Sequence, residues 1–222
     1  VVVSLGTSGT AFAVSDTPTH DASGSVAGFA DATGRYLPLV CTLNAARILD
    51  AACRILGKTH DEVATLALAA KPGANGLTLL PYFEGERTPN RPTATGVFAG
   101  MNLNNSNPED IARAMVEGML AGLADAVDAL VALGVGVNRI LLIGGAAKNP
   151  AVPAIASALF GREVLVPPAG EYVADGAAKQ AAWALLGRLP TWDLGEVSHH
   201  KSEATPEVMM RYRELKNNTQ NW

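Results

Sequence analysis

The feature that most constrains this fold is a pair of glycine-rich turns, each entered from a short apolar run and separated by more than half of the chain. The first is Ser4-Leu5-Gly6-Thr7-Ser8-Gly9-Thr10, following Val1-Val2-Val3. The second is Leu141-Leu142-Ile143-Gly144-Gly145-Ala146-Ala147-Lys148-Asn149. Glycine lets a backbone approach an anion closely, and Thr and Ser add hydroxyl donors. Each turn alone has an ordinary structural explanation. Runs at 1–4 and 10–15 around a Gly/Ser/Thr turn read as a β-hairpin. A Gly-Gly step after a strand reads as a short connection into a helix, whose free N–H groups and dipole favour a phosphate or another polar ligand.

The order over 139–187 is strand, glycine turn, helix, strand, helix, which is an α/β pattern. Strands are expected at 36–40, 78–80, 139–143 and 163–166. Ile48, Leu49, Ala52, Ile55 and Leu56 recur at helical spacing over 44–56, with Gly57 as the stop. Shorter helices are expected at 61–70, from about 150 to 160, and at 175–186 before Gly187. The longest helix is expected over 108–133. Asn107 is its N-cap, Pro108 suits the first turn, and Glu109 and Asp110 suit the positive end of the dipole. Gly118 and Gly122, four apart within it, point to close approach of another backbone. Residues 188–222 bring Pro, Trp and His before a last helix from Thr205-Pro206-Glu207 to about Lys216. They read as an extension packed onto the main domain.

Composition narrows the partners. Lys+Arg is 17 and Asp+Glu is 21, a net charge of -4, which argues against nucleic acid. The most apolar long stretch, 115–137, contains Glu117, Asp125 and Asp128, so no membrane span is expected. Cys41 and Cys53 fit no zinc or redox spacing and read as reduced thiols of a cytoplasmic protein. With no initiator Met and no signal-peptide start, the chain reads as a piece of a longer protein. Charged residues make up only 17%, below the roughly 25% usual for globular chains, so part of the surface is expected to be covered. There is no Walker A loop, HExxH or GxGxxG, and Ser8 lacks the second glycine of a nucleophile elbow. The four histidines lie in loops or at ends, outside any triad context.

Two such turns, far apart and each after an apolar strand, resemble the way the actin, hexokinase and heat-shock ATPase fold holds a nucleotide. SLGTSGT is similar to the second phosphate segment of the FGGY family of carbohydrate kinases, and GGAAKN resembles its adenosine segment. Between them, Gly96, Phe98, Gly100, Met101, Asp110, Ile111, Ala114, Met115, Val116 and Glu117 fit the family's second signature. PYFEGERTPN at 81–90 is similar to the loop ahead of that signature in xylulose kinases. Asp175-Gly176-Ala177-Ala178 resembles the segment that starts the family's late helix. The resemblance covers about residues 1–190.

It implies an α/β fold: an actin-like ATPase (ribonuclease H-like) domain with a mixed sheet flanked by helices. It divides the chain into a C-terminal ATP-binding domain, 1–190, and an extension with a terminal helix, 191–222. The family's N-terminal sugar-binding domain has no counterpart here. The family's catalytic base is an Asp shortly before the second phosphate segment. That position falls upstream of Val1, so no residue of this chain is given the role, and the chain alone is expected to be inactive.

Residue by residue, Gly6 and Thr7 match the turn that contacts the β and γ phosphates, with Ser8 as an extra donor. Gly145 matches the glycine near the α-phosphate and adenosine, with Gly144 and Ala146 beside it. Asn149 matches the polar residue that contacts adenine or ribose. Cys41-Thr42-Leu43-Asn44 departs from the family's glycine- or serine-rich turn, so Thr42 and Asn44 are not assigned to the site. Glu84, Glu86 and Arg87 either line the cleft or form an ion-paired loop bracing the other domain, and the structural role is the favoured reading.

The implied reaction moves the ATP γ-phosphate to a ketose hydroxyl, D-xylulose to D-xylulose 5-phosphate, in xylose metabolism. Mg2+ bridges the phosphates, and no residue here is assigned as a metal ligand. The alternatives are a kinase for ribulose, gluconate or glycerol, or a non-catalytic nucleotide-binding module. Expected partners are ATP or ADP and, through the missing domain, the sugar. Nucleic acid and membrane are not expected, the location is cytoplasmic, and a homodimer is left open.

Overall fold

In the first residues Val3 and Leu5 are fully buried while Val2 and Ser4 are not, the period-two pattern of a strand with one face on a core. A computed structural model describes residues 1–220. Asn221 and Trp222, the end of the expected extension, lie outside the described residues. The expected hairpin is there: β1 (Val2–Leu5) pairs antiparallel with β2 (Gly9–Phe12), Leu5 opposite Gly9. Two further strands follow, β3 (Ala27–Ala30) and β4 (Tyr36–Thr42). β3 falls in a stretch that reads as polar and glycine-rich. None of its residues is buried, so it carries no apolar alternation. Its hydrogen bonds to β4 and the turn held by the Asp31 carboxylate, which accepts from the Thr33 and Arg35 N–H groups, keep it in place.

The helices α1 (Ala46–Leu56) and α2 (His60–Ala69) come next. Gly57 ends α1 in the left-handed region at φ 64, and Thr59 with Glu62 forms a capping box on α2. A two-stranded sheet of β5 (Thr78–Leu80) and β6 (Val97–Ala99) precedes α3 (Pro108–Ala132), whose Asn107 side chain accepts from the Asp110 N–H as expected. The chain then runs through β7 (Ile140–Ile143), α4 (Ala151–Phe160), β8 (Val164–Val166), α5 (Tyr172–Leu186), β9 (Ser198–His200) and α6 (Pro206–Asn218).

The main sheet is seven-stranded in the order β3-β4-β2-β1-β7-β8-β9. β1, β7 and β8 run parallel and the other neighbours antiparallel, so the sheet is mixed. Val3, Leu5, Ala11, Val40, Ile140, Leu142 and Val164 are buried on one face, in one core with Met115, Met119, Leu120, Leu123 and Leu130 of α3. Full burial of an aliphatic side chain contributes roughly 1.5–3 kcal/mol. The glycine pair in α3 divides in two. A Cβ at Gly118 would meet the Leu79 carbonyl oxygen at 2.6 Å, so this glycine lets β5 approach the helix. One at Gly122 would meet only the Tyr212 hydroxyl, at 3.5 Å.

Glu117, the last position of the signature, is buried. Its Oε1 accepts from Arg113 Nε at 2.6 Å and from the Gly73 N–H at 2.9 Å. Burial pushes its carboxyl above the ordinary range, against the opposing pull of Arg113. These bonds make it a tie between α3 and the loop ahead of β5.

Residues 191–220 supply β9, the edge strand antiparallel to β8, and α6, whose Arg213 pairs with Asp125 at 2.9 Å and also with Asp128 of α3. α5 starts three residues before the expected position and has no buried residue. Among the described residues no helix is long and apolar enough to cross a membrane.

Candidate functional site

Parallel pairing of β1 with β7 sets Ser4 beside Ile143. Both strands therefore end together, and the two glycine turns abut. The contact is tight. Gly144 has φ 97, and a Cβ there would stand 2.5 Å from the Leu5 carbonyl oxygen. Only glycine meets both demands. The start of α1 joins the same place, because the Ala46 N–H donates to the Gly6 carbonyl at 3.0 Å.

Gly6 and Gly145 differ from Gly144. Neither has a left-handed φ. A Cβ on Gly145 would meet nothing within 4 Å, and one on Gly6 only the Ser8 carbonyl oxygen at 3.4 Å. The fold makes no demand for glycine at these two positions, so bare backbone is left open there for a ligand. Thr7 and Ser8 are exposed at the tip of the hairpin. Their hydroxyls make no hydrogen bond among the described residues, so four potential donors and acceptors of the first turn face outward together with the backbone.

The second turn leads from β7 into a helix at the expected position, by way of a further turn. Gly145–Lys148 forms a short 3-10 helix, and α4 begins only at Ala151. The dipole of a long helix is thus not aimed from Gly145, and what the turn offers is exposed backbone. Ala146 is buried, so only its backbone can reach a ligand. Asn149 is half-buried. Its Oδ1 accepts from the Ala151 N–H at 3.0 Å, and its Nδ2 donates to the His60 carbonyl at 3.4 Å. One Nδ2 hydrogen remains for a ligand.

Gly145, Ala146, Lys148 and Asn149 line one wall of a cavity of about 310 Å³, and Ala46, Leu49 and Asp50 of α1 with His60 and Asp61 of α2 line the other. That is the lower end of the size range of small-molecule sites. His60 Nε2 stands 3.1 Å from Asp50 Oδ1. Sequence reasoning missed both residues. They are ten positions apart on different helices, and no spacing signal joins them. A second, larger concavity of about 510 Å³ lies on the other side of the turn, against 166–172.

The loop after β5 is tied to the start of α1 within this domain. The buried Glu86 carboxylate accepts from the Leu43 and Arg87 N–H groups at 2.7 Å and from Asn44 Nδ2 at 2.9 Å. Asn44 also donates to the Gly85 carbonyl and accepts from the Phe83 N–H. Glu84 pairs with Arg47 of α1. These contacts hold the loop to the start of α1 within this domain, and Asn44 and Glu86 are committed to them. Among the described residues no group of three or more His, Cys, Asp or Glu is arranged to hold a metal ion.

Residues 1–185 match the model of the FGGY family of carbohydrate kinases, C-terminal domain. The chain is 41% identical over 190 residues to the xylulose kinase of Streptomyces rubiginosus, covering 85% of this chain and 38% of that protein. It superposes on the crystal structure of xylulose kinase from Bifidobacterium adolescentis with a TM-score of 0.88 and 51% identity, over 97% of this chain and 43% of that one. The gluconate kinase of Lactobacillus acidophilus superposes with a TM-score of 0.81 at 25% identity, over 98% of this chain and 45% of that one. The chain thus spans less than half the length of the relatives it matches.

Proposed function

This chain belongs to the FGGY family of carbohydrate kinases, as its C-terminal domain, and from that premise we propose that it is the ATP-binding part of a longer sugar kinase. Its phosphate acceptor is D-xylulose and its product D-xylulose 5-phosphate, by likeness to relatives that carry the name xylulose kinase at 41% and 51% identity. One observation carries the nucleotide reading. Two glycine turns abut at the ends of parallel strands, and in each of them one glycine, Gly6 or Gly145, serves no need of the fold.

In this reading the exposed backbone of Gly6, with the Thr7 and Ser8 hydroxyls, holds the β and γ phosphates. Gly145 gives the α-phosphate and ribose room to lie against the backbone, and Asn149 donates its free Nδ2 hydrogen to the nucleoside. A Mg2+ ion, when bound, would supply charge neutralisation for the phosphates, and no residue of this chain is assigned to hold it. The catalytic base comes from the part of the kinase that precedes these residues, as does most of the sugar site. The contribution of this domain is therefore positioning and electrostatic stabilisation of the transferring group. A cytoplasmic location goes with the free thiols Cys41 and Cys53.

Thr7→Val in the full-length kinase removes one hydroxyl donor and keeps the side-chain shape. It should lower kcat/KM by about 10- to 100-fold, equivalent to roughly 1–3 kcal/mol for a hydrogen bond to a charged group. Wild-type kinetics would remove the phosphate assignment. The same enzyme assayed with xylulose, ribulose, gluconate and glycerol tests the substrate, and preference for any but xylulose overturns that part.

A further inference from the structure

Two residues, Gly145 and Lys148, line both of the concavities that flank the second turn. The local helix explains why. Gly145–Lys148 is a 3-10 turn, and in that geometry residues i and i+3 stand one above the other. Burial follows the same period: Gly145 and Lys148 are exposed, while Ala146 and Ala147 between them are buried. The Lys148 side chain therefore rises from the same face as the open backbone of Gly145, on the ridge between the two concavities. It makes no hydrogen bond and no ion pair among the described residues. Asp50, Asp61 and Glu171 also line these concavities, but Asp50 faces His60, at 3.1 Å.

Charge adds a second line. The first turn, Ser4–Thr10, contains no charged residue, so its backbone and hydroxyls are neutral donors. Lys148 is the only Lys or Arg lining either concavity. A polyphosphate on these turns would otherwise meet carboxylates and no lysine or arginine. We propose that Lys148 is a nucleotide-binding residue, whose ammonium holds the phosphate that lies on the Gly145 backbone. An ammonium offers three donors at the end of a flexible stem and meets a phosphate as a point charge. This inference rests on the reading of Gly145 as a phosphate-binding position.

The test is equilibrium binding of ADP to the full-length kinase by calorimetry, at about 0.01 M and about 1 M salt, where the Debye length is roughly 30 and 3 Å. Lys148→Gln keeps the length of the side chain and a donor but removes the charge. It should weaken ADP by about tenfold at the lower salt and by about threefold or less at the higher, because an exposed charge is screened. Lys148→Arg keeps the charge and should keep most of the affinity. A loss with Lys148→Gln that is equal at both salts, or one that Lys148→Arg shares in full, would mean that the residue acts through the fold, and the proposal falls. Gly145→Ala, measured alongside, should also weaken ADP. If it does while Lys148→Gln changes nothing, the phosphate site stands, Lys148 is only a solvated lysine and the proposal falls alone. If neither variant changes the affinity, the phosphate site itself is misplaced, and the role of Lys148 falls with it.

Discussion

At position 144 an added methyl group would meet the Leu5 carbonyl oxygen at 2.5 Å, on a backbone already at φ 97; at position 145 it would meet nothing within 4 Å. The first turn repeats the division. A Cβ at Gly9 would stand 2.7 Å from Thr42 Oγ1 and 2.8 Å from Leu123 Cδ2, whereas one at Gly6 reaches only an ordinary contact. In each turn, then, one glycine closes the fold and the other leaves room. A motif written as a string of glycines merges these two causes, and substitution separates them.

The largest effect should come from Gly144→Ala. The contact is with backbone, which cannot step aside as a side-chain tip could, and the conformation is strained for any residue with a Cβ. A loss of about 3 kcal/mol in a urea titration is expected. A variant as stable as the parent would mean that the two turns do not abut as described.

Asn149→Leu should lie between. It removes the acceptor for the Ala151 N–H, costing about 1 kcal/mol of stability, and it deletes the donor offered to the nucleoside. In the full-length kinase the nucleotide KM should rise with the sugar KM unchanged. A rise in the sugar KM alone would place Asn149 on the wrong ligand.

Gly145→Ala should barely move stability, within about 0.5 kcal/mol in the same titration, while weakening nucleotide binding. A large stability loss would erase the contrast with Gly144, because the fold would then account for both glycines.

A second contrast bears on the low charge of the chain. α3 buries sixteen of its residues and α5 none, although both are rich in Ala, Leu and Val. Val173 and Leu185 of α5 are 87% and 86% exposed. A helix apolar around most of its circumference is ordinarily a covered one, which accords with the expectation that part of this surface is meant to be covered.

Local chemistry was legible from the sequence alone. The cap at Asn107, the stop at Gly57, the hairpin around Gly6 and the strand entering Gly144 all depend on residues a few positions apart. The tertiary structure decided what depends on pairing across distance. β3, β6 and β9 are three or four residues long, and none of them has a buried residue. Their partners' hydrogen bonds hold them, and no pattern of their own announces them. Glu86 lies in a loop whose charge suggested a cleft wall or a brace for the other domain, and its carboxylate is used within this domain by Leu43, Asn44 and Arg87. Asp50 and His60 meet only because α1 and α2 pack side by side. Gly144 and Gly145 look alike in the sequence, since a glycine carries no side chain to show what surrounds it. Only the register of Ser4 beside Ile143 brings the Leu5 carbonyl against one and leaves the other open.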